Sequence, residues 1–429
     1  MGAVAASVAV AFADSSIVVL ALPELYSAFD TTIVGVSWVI TSYNVAVAVV
    51  AAIVAFRRLD ARRTAQTGLV LFCAASIGCA AAWSLPALIV FRCVQGLGGA
   101  LLLASSLALI GTARWTTVGV LGAALGPVLG GVLTQLFDWR AIFVVQAPVA
   151  AVALLATRGM VAVAEGTPRR RRVRGGLAAD VALGLVFAAL VGALFLAVVL
   201  VITVWGLEPI VGALVVSALP AATLAARPLG RGLSRLQAVG GGALLLAAGL
   251  GSLALLPRVS NVLVAASLAL CGTGIGLAVP VLTRESLDAQ AGIVRSGALT
   301  VAARHAGLVL ALALVAPLLT GSLDRAGRRA LLGGTKEILD ANVPIRKKVP
   351  IALELRDALE SAPKGEVPDL NKPFDDAGAR DHDNVRQARD DLITTLESAL
   401  TRGFRPAFGL AALFALLSMV PALRFRREA

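Results

Sequence analysis

Apolar stretches of roughly 18 to 27 residues recur along almost the whole chain, separated by short polar loops. A run of that length crosses a hydrocarbon core as a helix, and a bilayer accepts only segments whose backbone polar groups are satisfied internally. Strand-type alternation is absent, which leaves helices rather than a closed barrel. Composition agrees: 58% of residues are hydrophobic, 15% are charged and the mean hydropathy is +0.87, outside the range of a soluble domain. The expected fold class is an all-α polytopic membrane protein. Its spans fall near 3–23, 33–55, 66–84, 86–110, 115–136, 140–158, 178–205, 207–226, 238–256, 260–283, 297–320 and 404–423, about twelve in all.

The loops alternate in charge. One set carries Arg57, Arg58, Arg62 and Arg63, then Arg169 to Arg174, then Arg227, Arg231 and Arg235, then Arg284 and Arg295, and finally Arg424, Arg426 and Arg427. The opposite set carries Glu24 and Asp30, Asp138 and Glu208, with Arg258 the exception. The positive-inside rule then predicts a multi-pass protein of the cell membrane with both termini in the cytoplasm. The net charge of +12 is thereby spent on topology, and no nucleic-acid partner is expected. Cys73, Cys79, Cys93 and Cys271 all fall inside spans without metal-ligand spacing and read as small packing residues.

Basic loops follow both the second span and the eighth, a faint repeat that fits six plus six helices. The expected organisation is an N-terminal six-helix bundle over 1–158, a basic cytoplasmic linker over 159–177, and a C-terminal bundle over 178–429. A polar segment over 322–402, rich in proline, interrupts the second bundle. By parity it faces away from the cytoplasm. Val385, Leu392, Leu396 and Leu400 share one helical face, and Ile351, Leu355 and Leu359 another, so a small helical extracytoplasmic insert is expected.

Ionisable groups inside spans are costly and mark function by default. Asp14 lies in the middle of the first span, roughly 13 Å below the outer surface at 1.5 Å per residue. Desolvation there disfavours its charged form and suits it to exchange protons near neutral pH. Arg92 lies roughly 9 Å below the same surface on the fourth span, a depth that permits contact with Asp14. The two are the proton-coupling candidates, Arg92 holding Asp14 ionised until the pair is disturbed. Arg304 and His305 on the eleventh span, with Trp38, Tyr43, Asn44 and Gln95, are candidates to line a central cavity. Gly122, Gly126, Pro127, Gly130 and Gly131 combine close helix approach with a helix-bending proline, the make-up of a hinge. No nucleophile–base pair or metal constellation is visible; the histidines are His305 and His382. No phosphate-binding Gly-x-x-x-x-Gly-Lys-[Ser/Thr] loop occurs, which argues against ATP as the energy source.

These residues resemble the drug:proton antiporters of the major facilitator superfamily. Asp14 to Pro23 is similar to the first-helix signature of the fourteen-helix multidrug exporter branch. Arg92, Gln95 and Gly96 are similar to its fourth-helix Arg-x-x-Gln-Gly motif, and Gly122 to Gly131 to the fifth-helix motif of exporters. Trp139, Arg140, Phe143 and Pro148, and the stretch from Thr300 to Gly307, resemble that branch as well. The loop after the second helix retains only Asp60, Arg62 and Arg63 of a motif that in the family latches the halves together. The resemblance implies a major facilitator fold of two six-helix bundles and a proton-coupled exporter of small amphipathic or lipophilic compounds such as drugs or antibiotics. It implies no cofactor beyond a proton gradient, and as partners a small-molecule substrate, protons and the lipid bilayer; a monomer is expected, and no enzymatic role, since no nucleophile–base or metal constellation is visible. Two alternatives stand beside it: a carrier of the same fold for a metabolite or lipid, and a membrane sensor or scaffold acting through the insert.

Overall fold

The computed structural model describes residues 1–160, 173–256, 259–288, 292–340 and 383–423. The N-terminal half is six helices: α1 (Gly2–Ala28), α2 (Ile33–Ala55), α3 (Ala61–Ala80), α4 (Leu85–Ile110), α5 (Thr112–Leu136) and α6 (Arg140–Ala156). The C-terminal half continues with α7 (Val173–Val198), α8 (Pro209–Val216), α9 (Ala218–Ala226), α10 (Arg235–Ala254), α11 (Asn261–Asp288), α12 (Ile293–Asp340), α13 (Asp383–Gly403), α14 (Arg405–Leu417) and α15 (Met419–Ala422). Several helices start where the sequence supplies a side-chain cap for orphan backbone N–H groups. Thr32 accepts from Gly35 N at 3.0 Å, Asp60 from Arg63 N at 2.7 Å and Ser84 from Ala87 N at 3.3 Å. Ser234 and Gln237 close a capping box on α10.

Among the described residues ten helices are long and apolar enough to cross a membrane, and α5, bent by 41° between Gly122 and Leu125, makes an eleventh. These match eleven of the twelve expected spans. The missing one is α3, which begins five residues before the predicted run of 66–84 and so takes Arg62 and Arg63 into its first turn. It still packs along α4 and α6 as a member of the bundle. The predicted spans at 207–226 and 404–423 are each broken into shorter helices, and the one at 178–205 closes with a π-helical turn over Val199–Val204.

The polar segment does not begin as a separate element. Helix α12 runs unbroken from the bundle to Asp340, and α13 returns beside it. Where α13 meets the bundle, Leu400 is buried and Trp205 Nε1 donates to Thr401 Oγ1 at 3.1 Å. Residues 341–382, with Ile351, Leu355 and Leu359, lie outside the described residues, as does most of the linker.

Helix contacts in the two halves follow one scheme built on glycine. In the N-terminal half Gly68 and Gly98 face each other's carbonyls across α3 and α4; in the C-terminal half Gly242 and Gly274 do the same across α10 and α11. Gly96 packs on the Tyr43 carbonyl of α2, and Gly272 on the Leu219 carbonyl of α9. Helix α5 lies on α1 with Gly122, Gly126 and Gly130 against Ala9, Ser16 and Ile17, while Gly307 of α12 lies on Gly184 of α7. At each contact a Cβ would collide with the neighbouring helix, so only glycine permits the approach.

The halves meet unevenly. At the end bearing Asp30 and Asp138, one continuous core joins Ile17–Tyr26, Val36–Ile40 and Trp139–Phe143 to the buried side chains of the C-terminal half. There Gly131 of α5 packs against Ala213 of α8. Toward the end bearing the arginine loops, a cavity lies between α5 on one side and α9 and α11 on the other.

Candidate functional site

Two polar assemblies lie near the middle of the molecule, one sealed inside the N-terminal half and one lining the cavity between halves. The sealed one is built around Asp14. Arg92 Nη1 stands 2.6 Å from Asp14 Oδ2, both side chains fully buried. Gln95 Oε1 accepts from Arg92 Nη1 at 2.7 Å, Gln95 Nε2 donates to Gln146 Oε1 at 2.7 Å, and Gln146 Nε2 donates to Asp14 Oδ1 at 2.9 Å. The four side chains form a closed ring across α1, α4 and α6. Gln95 Nε2 also donates to Ser76 Oγ at 2.8 Å, and Arg92 Nε to the Val39 carbonyl at 2.9 Å. The Arg92 guanidinium lies over the Tyr43 ring at 4.4 Å, and the Tyr43 hydroxyl donates to the Ala11 carbonyl at 3.0 Å. Two charges have left water here, and these hydrogen bonds offset part of that cost, while Arg92 Nη2 has no hydrogen-bond partner among the described residues.

Asp14 and Arg92 do not line the cavity. The neighbours of Asp14 on α1 do: Phe12, Ser15 and Ser16 turn toward it, and Ser15 Oγ donates to Asn44 Oδ1 at 2.9 Å. Tyr43, Asn44 and Gln95 are likewise buried behind its wall rather than in it, and Trp38 is 51% exposed on the outside of the bundle. Of the residues singled out as cavity-lining, Arg304 and His305 are the two that reach it.

The cavity has a volume of about 510 Å³. Its mouth is framed by Thr112 of α5, Arg227 after α9, and Arg284 and Asp288 of α11. Its depth is apolar, with Val19, Val191 and Leu194. Arg304 is 9% exposed, and its guanidinium carbon sits 4.2 Å from the ring centres of both Phe12 and Phe187. His305 Nδ1 is 2.8 Å from the Val301 carbonyl, and its ring meets Tyr43 edge-on at 6.4 Å between centroids. His305 therefore stands between the cavity and the ring of Tyr43 that underlies Arg92.

A second buried carboxylate, Asp180 of α7, accepts a hydrogen bond from Ser286 of α11, which in turn lies 2.6 Å from Thr300 Oγ1 of α12. No salt bridge to it occurs among the described residues. Asp180 sits three residues inside the expected span 178–205 and is not among the residues singled out from the sequence. Nor is Gln146, though as the one polar side chain in the middle of an apolar run it was a visible signal. Phe12 and Phe187 carried none, since aromatic residues in spans are commonplace.

The loop residues are occupied locally. Asp60 caps α3, and Arg62 donates to the Arg158 carbonyl at the end of α6, within the same half.

The family described as Major Facilitator Superfamily matches residues 4–289. The multidrug resistance protein Stp of Mycobacterium tuberculosis is 35% identical over 202 residues, covering 44% of this chain and 36% of the relative. The drug efflux pump JefA of the same species is 34% identical over 160 residues, covering 34% of this chain and 32% of the relative. The aligned stretch thus spans about a third of the length of these curated relatives. A crystal structure of a bacterial homologue of the human lysosomal transporter Spinster, in an inward-facing and unoccupied conformation, superposes with a TM-score of 0.65 at 14% identity, covering 98% of this chain and 96% of that one.

Proposed function

Because the chain belongs to the Major Facilitator Superfamily and is a multi-pass membrane protein, we propose that it exports small amphipathic or lipophilic compounds by alternating access, driven by proton exchange. The observation that carries this reading is the cavity between the halves, closed at one end by a shared core and open at the other. With the arginine loops on the cytoplasmic side, as the positive-inside rule requires, that opening faces the cytoplasm. Relatives named as drug efflux and multidrug resistance proteins support export over import.

Asp14 is the proton-carrying group and Arg92 its modulator. Neutralising Asp14 removes the charge that holds Arg92 and Gln146, and so loosens α1 from α4 and α6. Helix α1 is bound to α5 through backbone-level contacts, so the two move as one body. Pro127 lacks the N–H that would bond four residues back, and α5 bends one turn before it. Movement of the α1–α5 pair is transmitted to the other half where Gly131 meets Ala213. Ser15, Asn44, Tyr43 and His305 form the polar boundary between this carboxylate and the cavity.

The test is compound accumulation in bacteria stripped of their main efflux pumps. Expression of the chain is expected to lower accumulation of at least one lipophilic compound, and a protonophore to restore it. Unchanged accumulation across anionic, neutral and cationic compounds would count against export.

A further inference from the structure

Arg304 is a buried cation with no anion. It has no ion pair among the described residues, and its Nε has no hydrogen-bond partner. Asp14 is paired with Arg92, Asp180 accepts from Ser286, and Glu285 pairs with Arg235 at 2.8 Å, while Arg227, half-buried at the mouth, has no ion pair among the described residues either. Of the charged residues lining the cavity, Arg227, Arg284 and Arg304 are cationic, and the single carboxylate, Asp288, stands exposed at the mouth. A positively charged ligand moving inward would leave Asp288 behind and approach Arg304.

The guanidinium is held between Phe12 and Phe187. Aromatic faces attract a cation but accept none of its N–H donors in the way a carboxylate does. Gly119 borders the same point: a Cβ there would press on the Phe12 ring at 3.1 Å and stand 3.6 Å from Arg304 Nη1. Beyond it the wall is apolar, suited to a hydrophobic body.

Resting on the exporter reading above, we propose that the cavity takes amphipathic organic anions, with Arg304 receiving the acidic group and Phe12 and Phe187 flanking it. Phe12 belongs to the N-terminal half and Arg304 and Phe187 to the C-terminal half, so a bound anion ties the two together. An acid on the ligand would convert an unsatisfied buried guanidinium into a charge-assisted, bidentate pair.

The experiment uses the full chain in phosphatidylcholine nanodiscs and tritiated naphthoate, displaced by unlabelled naphthoate, naphthamide or naphthylmethylammonium, with empty discs subtracted. Naphthoate is expected to bind roughly tenfold to a hundredfold more tightly than naphthamide, the range of one charge-assisted contact. Arg304→Gln should bring naphthoate down to the level of naphthamide, and Arg304→Lys should keep part of the preference. Equal binding of naphthoate and naphthamide to the wild type, which needs no variant, would overturn the assignment. So would a preference for the ammonium, or a preference for naphthoate that survives Arg304→Gln. If cationic and neutral compounds are exported from cells while naphthoate shows no advantage, the exporter reading stands and the anion site falls. If naphthoate binds through Arg304 but no compound is moved, the site stands and the exporter reading falls.

Discussion

The two halves share one packing scheme and fill it differently. Aligning Gly96 and Gly98 of α4 with Gly272 and Gly274 of α11 sets Arg92 against Leu268 and Gln95 against Cys271, both fully buried. At equivalent depth, one half holds a closed ring of charges and amides and the other an apolar core. The C-terminal half instead places Arg304 and His305 in the cavity wall and keeps the Asp180 cluster of α7, α11 and α12 buried outside it. On the function proposed above, a common scaffold would support a division of labour: a sealed charge pair that takes up protons in one half, and a ligand-facing cation in the other.

That comparison can be broken most forcefully at the ring. Asp14→Asn leaves Arg92 buried without a counter-charge and should destabilise the protein by about 3–5 kcal/mol, read as a lower thermal midpoint in mild detergent. Adding Arg92→Leu, the residue the other half uses, should recover most of that loss. If the double variant is no more stable than the single, the ring is not the unit described here. Next in size, Gly122→Val forces α5 off α1 and should cost about 1–3 kcal/mol with transport lost. Gly241→Ala, at a helical glycine with open space around it, should instead stabilise by up to about 1 kcal/mol.

Smaller effects sharpen the picture. Asp60→Ala removes a helix cap and should cost about 1 kcal/mol with transport kept. Loss of transport with stability intact would restore a latch role to Asp60, Arg62 and Arg63. Smallest of all, Asp180→Asn keeps an acceptor for Ser286 and disturbs no cation, so stability should change by less than about 1 kcal/mol. A cost matching that of Asp14→Asn would mean that Asp180 has a cationic partner in another state of the molecule.

Much of this was legible in the sequence because membrane physics is severe. Span length, loop charge and the scarcity of intramembrane ions fix the helices and draw attention to Asp14, Arg92, Arg304 and His305. The glycine spacing of the fifth span foretold its backbone contact with a neighbour, though not that the neighbour is α1. What could not be read was rotation about each helix axis. Tyr43, Asn44 and Gln95 face inward within their own half, and Trp38 faces outward, because the cavity wall is set by how α1 and α5 lie against α7 and α11. The start of α3 was misplaced because Asp60 supplies a cap before the apolar run begins.

The most direct test of the account is substrate-triggered proton release in energised inverted vesicles, comparing wild type with Asp14→Asn/Arg92→Leu at equal amounts of folded protein. The account predicts that adding an exported compound releases protons in the wild type and none in the variant. Proton release of equal size in both would contradict it, and would move the coupling away from the N-terminal half.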